Sequence, residues 1–356
     1  MQRRRLGGSS LEVPVACFGA YALGGGYWGP QDEAEAILAL QVAIDEGMDA
    51  IDTAPVYGFG RSEELVGAAL RARPGKARVL TKVGLSWDAK LEAGDPRLAG
   101  AKPQRAPDGR EVLVARDGRP AAIRACVEGS LRRLGVERVD LAQIHARDPH
   151  TPLAETLGAL LDLRTTGMIA EIGVSNFDAR GIDEARAILG ATPLAGHQLQ
   201  YSLLAREAER ELLPQAARGE VGTLAYAALD QGLLTGKVRA ERSFGPGEGR
   251  ARRRSFQSAN RARVNRVLDE VVAPIASERG ASVAQVVLAW TIAQPGVTCV
   301  LVGARDRAQA RENAAAGRMR LAPGELDAIG AAFARLRLAP GPGSGVRTWL
   351  KYLLGR

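Results

Sequence analysis

Val139-Asp140-Leu141-Ala142-Gln143-Ile144-His145, then a helical pattern over 152–165, then Glu171-Ile172-Gly173-Val174-Ser175-Asn176-Phe177, read as strand, helix, strand. Each strand is a short apolar run, and Gly167 stands where a helix C-cap belongs. Two strands joined through a helix make a parallel pair with a right-handed crossover. The same alternation extends outward in both directions. Strands are predicted at 13–18, 50–52, 79–81, 139–144, 171–174, 198–200, 222–225 and 298–302. Helices are predicted at 32–46, 62–71, 121–134, 152–165, 179–189, 208–218, 283–293 and about 307–315. Ser62 before Glu63-Glu64 and Ser282 before Gln285 read as helix starts, and Gly47 and Gly135 as further C-caps.

Eight such units imply an α/β fold, either a (β/α)8 barrel or a large doubly wound sheet. The units run without a break into halves, and no G-x-G-x-x-G follows an early strand, so the barrel is favoured. Gly58-Phe59-Gly60 lacks the third glycine, and Gly24-Gly25-Gly26 reads as a flexible loop. The expectation is one domain over 1–356, with a core at about 4–333 and a C-terminal extension at 334–356. Residues 1–12 suit a hairpin closing the barrel bottom. Two long loops follow strands three and seven: 85–119, and 230–281 with an extra helix at 264–277.

Composition narrows the function. The chain has 356 residues, 46% hydrophobic and 25% charged, which suits a folded protein and not a disordered one. No apolar run reaches membrane-spanning length, and the basic N-terminus lacks the apolar core of a signal peptide, so a cytoplasmic location is expected. Cys17, Cys126 and Cys299 are too few and scattered for a disulfide framework or zinc site; with His145, His150 and His197 as the only histidines, no metal site is expected. The net charge of +8 invites a nucleic-acid reading, but the arginines are interleaved with acids and no basic–aromatic pattern of a binding module appears. The cluster 250–266 is the exception. It reads as a solvated face, as a lid over cofactor phosphates, or as a lure for an anionic substrate or surface.

The strand ends carry the chemistry. They read Asp52-Thr53-Ala54-Pro55-Val56-Tyr57-Gly58, Thr81-Lys82-Val83-Gly84, Gln143-Ile144-His145 and Gly173-Val174-Ser175-Asn176-Phe177. In a barrel all four meet at one mouth. A lysine directly after an apolar strand needs a counter-charge, and Asp52 is the candidate. Alone, that pair reads first as a structural ion pair; Tyr57 and His145 beside it tip the reading to a site. Tyr21, Tyr27, Trp28, Tyr57, Phe59, Trp87, Phe177, Tyr201 and Tyr226 follow predicted strands, so nine of sixteen aromatics are expected at this mouth.

This set, in this order and spacing, resembles the aldo-keto reductase superfamily, and within it the bacterial members acting on sugars or polyols. Gln198-Leu199-Gln200-Tyr201, Tyr226 with Gly232-Leu233-Leu234-Thr235-Gly236-Lys237, and Gly303-Ala304-Arg305 with Gln309, Glu312 and Asn313 extend the match. The resemblance implies hydride transfer between a nicotinamide and a carbonyl. Tyr57 would be the general acid, with Lys82 lowering its pKa, Asp52 holding Lys82, and His145 orienting the substrate. NADPH would lie across the mouth, with NADH less favoured. Gly19, Ala20, Tyr21 and Asp52 would line its site, Ser175, Asn176 and Gln198 would hold its carboxamide, and Tyr226 would stack on its ring. Ala227, Leu229, Gly232, Leu233, Thr235, Gly236 and Lys237 would follow the pyrophosphate. Gly303, Arg305, Gln309, Glu312 and Asn313 would take the adenosine phosphate end, through helix N-terminal N–H groups and with Arg305 on the 2′-phosphate. Tyr21, Trp28, Tyr57, Trp87 and His145 would line the substrate pocket.

Ala227-Ala228-Leu229 departs from the family's Ser-Pro-Leu, and Tyr21 from its frequent Trp. His197 reads as structural and His150 as a loop residue. Reduction of an aldehyde or ketone is the first reading; oxidation of a sugar or polyol and a nicotinamide-binding regulatory subunit are the alternatives. The partner expected is a small-molecule substrate, not nucleic acid or membrane, and the sequence leaves monomer and homo-oligomer both open.

Overall fold

The computed structural model describes residues 1–25, 31–87, 94–106, 108–245 and 248–340. Tyr27, Trp28 and the extension from residue 341 onward lie outside them.

The strands are β1 Arg3–Arg5, β2 Glu12–Pro14, β3 Ala16–Gly19, β4 Ala50–Asp52, β5 Arg78–Val83, β6 Leu85–Ser86, β7 Lys102–Arg105, β8 Glu111–Arg116, β9 Val139–Ile144, β10 Ile169–Ser175, β11 Leu194–Gln200, β12 Gly222–Tyr226 and β13 Cys299–Val302. The helices are α1 Glu33–Asp45, α2 Arg61–Arg71, α3 Pro96–Ala99, α4 Pro120–Leu134, α5 Leu153–Thr165, α6 Ala179–Leu189, α7 Leu212–Ala217, α8 Ser258–Val267, α9 Ala273–Glu278, α10 Val283–Ala293, α11 Arg307–Ala316 and α12 Pro323–Arg335. Eight parallel strands close in the order β3-β4-β5-β9-β10-β11-β12-β13, so the barrel is real. The β1–β2 hairpin plugs its floor. There Gly7, in the left-handed region, leaves no room for a Cβ: one would stand 2.7 Å from the Ala195 carbonyl oxygen.

Two-residue alternation decides what the barrel holds. Ala50, Leu80, Leu141 and Leu224 point inward with Leu6, Val13 and Cys17 and form an apolar lower layer. Two residues on, the same faces carry Asp52, Lys82, Gln143 and Tyr226. The upper interior is therefore polar by register. Ile51, Val79, Ala142 and Ile144 point outward into the larger core under the helices.

Several segments differ from expectation. The stretch 85–119 is not a plain loop: it holds α3 and an antiparallel sheet in the order β6-β8-β7. Val114 of this sheet packs with Val56, Tyr57, Phe59 and Trp87, walling one side of the mouth. The predicted helix 208–218 is broken into a 3-10 turn at Glu207–Glu209 and α7, because Pro214 has no N–H to continue the ladder. The extra helix starts at Ser258, not 264, and passes through a π-helical turn at Leu268–Val272 just before Pro274, where a donor is missing. α12 was not foreseen, and it carries the core to Arg335. Ser62 caps nothing: α2 starts at Arg61 behind Gly60 (φ +101°), and the buried Ser62 hydroxyl bonds Thr53 Oγ1 (2.9 Å) and the Ala20 carbonyl (3.0 Å). Ser282 does form its capping box with Gln285.

Candidate active site

Lys82 and Asp52 are both buried, and Lys82 Nζ donates to Asp52 Oδ1 at 2.6 Å and to the Thr53 carbonyl at 3.0 Å. Asp52 Oδ2 accepts from Gln198 Nε2 (2.8 Å) and Gln143 Nε2 (3.2 Å). Both carboxylate oxygens are thus satisfied, as a buried charge requires. Burial pulls the Lys82 ammonium down, and Asp52 pushes it back up. Glu63, behind the strand on α2, is fully buried, accepts from Thr81 Oγ1 (2.7 Å) and pairs with Arg133 (2.7 Å).

Tyr57 sits above this pair, with Lys82 Nζ 4.9 Å from its ring centroid. Its loop holds three successive left-handed residues, Gly58 (φ +63°), Phe59 (+54°) and Gly60 (+101°). Gly24 crosses so closely that a Cβ there would stand 2.6 Å from the Tyr57 carbonyl carbon. Gly24 therefore serves close contact with the Tyr57 loop, where flexibility was expected; Gly26 lies outside the described residues. Tyr21 packs on Tyr57 at 4.8 Å between centroids, and His145 meets it edge-on at 5.9 Å. The Tyr57 phenol is held well above its ordinary range, by burial first and by Asp52 second. The expected lowering by Lys82 does not dominate in this state, so Tyr57 stands as a protonated acid. Burial, with Lys82, lowers His145 to about 3, which keeps the imidazole neutral.

The next strand ends converge on the same mouth. Asn176, left-handed at φ +60°, donates to the His145 carbonyl (3.1 Å) and Ser175 Oγ (3.0 Å), and its Oδ1 accepts from the Tyr226 hydroxyl (2.9 Å). Trp87 reaches the mouth against Phe59 (5.7 Å), while Trp28 lies outside the described residues. Two aromatics expected here are elsewhere. Tyr201 is fully buried, bonds Glu209 (2.7 Å) and stacks on Trp290. Phe177 packs in the outer core. His197 is structural, accepting from the Phe177 N–H (3.3 Å).

Residues 16–333 match the model of the aldo/keto reductase family. The chain belongs to the aldo/keto reductase family. Its members are NAD(P)-dependent oxidoreductases, and this chain is one of them. It is 33% identical over 331 residues to the NADH-specific methylglyoxal reductase of Escherichia coli, covering 90% of this chain and 95% of that one. Among solved structures, the glycerol dehydrogenase AKR11B4 from Gluconobacter oxydans superposes with a TM-score of 0.81 at 36% identity, over 96% of this chain and 98% of that one. An aldo-keto reductase from Klebsiella pneumoniae, in complex with NADPH, has a TM-score of 0.67 at 25% identity over 95% and 100% of the chains.

The residues of this aldo/keto reductase suit a nicotinamide dinucleotide in the chemistry of their donors. Gln198 spends its Nε2 on Asp52 and Gln143, which leaves its carbonyl oxygen for an amide N–H. After Tyr226, positive φ at Ala227 (+58°), Asp230 (+41°), Gln231 (+56°), Gly232 (+93°) and Gly236 (+73°) bends the Leu229–Lys237 segment sharply beside the mouth. Leu233 anchors it in the core, Thr235 Oγ1 closes it onto the Gly232 carbonyl (2.7 Å), and Lys237 reaches Glu312 at 3.3 Å. At β13 the end of the strand lies against β3: a Cβ on Gly303 would stand 3.0 Å from the Gly19 carbonyl oxygen, and Asn313 holds the Gly303 carbonyl (3.1 Å). Arg305 is exposed and donates to Gln31 Oε1 (3.0 Å), its own N–H bonding Gln309. The N-terminus of α11 is already capped, since Asp306 accepts from the Gln309 N–H (2.8 Å). The Arg305 side chain, more than free helix N–H groups, is what that end offers an anion.

The arginine cluster is mixed: Arg252, Arg254, Arg263 and Arg266 are exposed, whereas Arg250 and Arg261 are buried. Arg250 is buried, bonds the Gln231 carbonyl (3.3 Å), pairs with Glu248 and lies over Phe244 and Phe256. Arg261 is buried on the Ala240 and Arg242 carbonyls, and Arg254 and Arg263 hold the carbonyls of residues 337–339. Arg250 and Arg261 brace the long loop internally, while Arg254 and Arg263 tie it to the segment after α12. Arg253 lies 3.5 Å from the buried Asp230.

Among the described residues no group of histidine, cysteine and carboxylate side chains could hold a metal, and no helix is long and apolar enough to cross a membrane. Sequence reasoning missed Gln143, Ser62 and Glu63. Gln143 was open to detection, as the polar residue two positions after the inward Leu141.

Proposed function

We propose that this enzyme reduces an aldehyde or ketone to the alcohol, with NADPH as hydride donor and Tyr57 as proton donor. The observation that carries the reading is the buried Lys82–Asp52 pair under a protonated Tyr57, with a neutral His145 alongside. The bound nicotinamide supplies the hydride, since no side chain does. Ser175, Asn176 and Gln198 hold its amide end, and the Leu229–Lys237 segment and Arg305 receive its phosphates. His145, with no charge of its own, hydrogen-bonds and orients the substrate oxygen. As that oxygen gains charge, the Tyr57 hydroxyl gives it a proton, and the Lys82 ammonium stabilises the phenolate left behind. Asp52 keeps Lys82 in place and charged.

A second reading, oxidation of a polyol with Tyr57 as base, is favoured by the similarity to a glycerol dehydrogenase. The complete set Asp52, Tyr57, Lys82 and His145 argues for turnover and against a purely regulatory subunit. The test is cofactor absorbance at 340 nm in both directions: NADPH or NADH with methylglyoxal, glyceraldehyde and benzaldehyde, and the oxidised cofactors with glycerol. Faster NADPH oxidation by an aldehyde supports the first reading. Turnover of glycerol alone replaces it with the second, and no turnover with any pair sinks both.

A further inference from the structure

Gln143 has no part in the roles assigned above, yet it is fully buried at the centre of the site. Its amide is used at both ends. Nε2 donates to Asp52 Oδ2 (3.2 Å), and Oε1 accepts from Gln198 Nε2 (3.2 Å), which itself donates to Asp52 Oδ2 (2.8 Å). The three side chains close a ring on β4, β9 and β11. The neighbouring strand makes room for it: a Cβ on Gly173, paired with Gln143 in register, would stand 3.0 Å from Gln143 Cγ. Only a side chain with a donor and an acceptor at one reach fits both partners. Leucine offers neither, and glutamate would set an acceptor against the Asp52 carboxylate.

We propose that Gln143 is a positioning residue that ties the cofactor-facing amide of Gln198 to the Asp52–Lys82 pair that serves Tyr57. This rests on the function proposed above. Toward Asp52, Gln143 fixes which oxygen meets Lys82 and neutralises part of the carboxylate charge. Toward Gln198, it takes an amide hydrogen and so turns the Gln198 carbonyl oxygen to the cofactor side. One residue thereby sets both the acid and the nicotinamide cradle.

The consequence for pH has a definite sign. Tyr57 faces Asp52, Lys82, His145, Tyr21 and Tyr226. Behind them Lys82 also faces Glu63 of α2 and, through its carbonyl, Cys126 of α4, and Asp52 faces Cys17 of β3. Of these, Asp52 is the negative charge that makes Tyr57 harder to ionise. Removing a donor from Asp52 strengthens that effect, so the alkaline limb of reduction, where the acid is lost, moves to higher pH.

The experiment compares full-length wild type, Gln143→Leu and Gln143→Glu with NADPH and the best aldehyde of the panel. Gln143→Leu is expected to lower kcat about tenfold, the scale of a lost charge-assisted hydrogen bond. It also raises the KM for NADPH several-fold and moves the alkaline limb upward, and Gln143→Glu moves that limb further. A uniform loss of activity with an unmoved pH profile and cofactor KM would overturn the proposal. If Gln143→Leu does not fold, Gln143→Glu and Gln143→Asn carry the same comparison. Tyr57→Phe is run beside them: retained activity there refutes the proposed function, whereas loss there with an unmoved Gln143 profile refutes only the role of Gln143.

Discussion

Replacing Asp52 by Asn tests the electrostatic centre of the site. Lys82 is fully buried and would keep the Thr53 carbonyl at 3.0 Å but lose its counter-charge at 2.6 Å. A buried ammonium without a counter-charge gives up its proton. For an amine with an ordinary pKa of 10.5, neutrality at about pH 7 costs about 4–5 kcal/mol, at about 1.4 kcal/mol for each pH unit. Breaking buried ion pairs elsewhere costs about 3–5 kcal/mol, so the two routes agree. With an unfolding entropy of about 2 cal/mol/K per residue, a chain of this size loses about 6 °C in Tm. The pH dependence is the sharper test. In the variant the folded amine is neutral and the unfolded one protonated, so the unfolded state holds the extra proton. The variant therefore gains on wild type as pH rises, and its deficit closes towards about pH 10. Differential scanning calorimetry from pH 7 upward measures this. A deficit that is constant with pH, or below about 1 kcal/mol, would show that Asp52 does not hold Lys82 charged.

Three further outcomes follow from particular contacts. Gly58→Ala puts a Cβ at φ +63°, against the backbone of Gly24, and should displace Tyr57; kcat is expected to fall more than about tenfold while cofactor affinity, read by fluorescence, holds. Arg305→Gln should raise the KM for NADPH about tenfold and leave that for NADH unchanged, since only the former carries the 2′-phosphate. Because His145 is lowered to about 3, kcat/KM should show no limb from it near neutrality; a limb close to its ordinary value of 6.5 that vanishes in His145→Asn would contradict this.

What the sequence revealed of the fold, and what it hid, has a physical pattern. The eight barrel strands are buried on both faces, so they stand out as short apolar runs; their C-terminal ends fall within two residues of the predicted ones, whereas β11 begins at Leu194, not 198, and residues 13 and 14 belong to the floor hairpin. The site was legible for the same reason: Asp52, Lys82 and His145 interrupt or end apolar runs where a polar residue needs a purpose. The sheet inside 85–116 was not legible, because Lys102-Pro103-Gln104-Arg105 has no apolar alternation and is held by pairing with β8. Tyr201 was misplaced because a tyrosine after a strand looks the same whether it lines the mouth or turns back onto Trp290. The burial of Arg250 and Arg261 within the arginine cluster was not legible, because their partners, Phe244, Phe256 and backbone carbonyls, are tertiary. The role of Gln143 is visible only once the barrel closes and side chains of β4, β9 and β11 meet in its interior.

The central claim is that Tyr57 delivers the proton. Its direct test is the single-turnover rate of NADPH oxidation by wild type and Tyr57→Phe at saturating aldehyde, with NADPH binding and Tm measured on both. The account predicts that binding and Tm are unchanged and that the rate falls by about 10² to 10⁴-fold. A Tyr57→Phe enzyme that binds NADPH normally and oxidises it within a few-fold of the wild-type rate would contradict it.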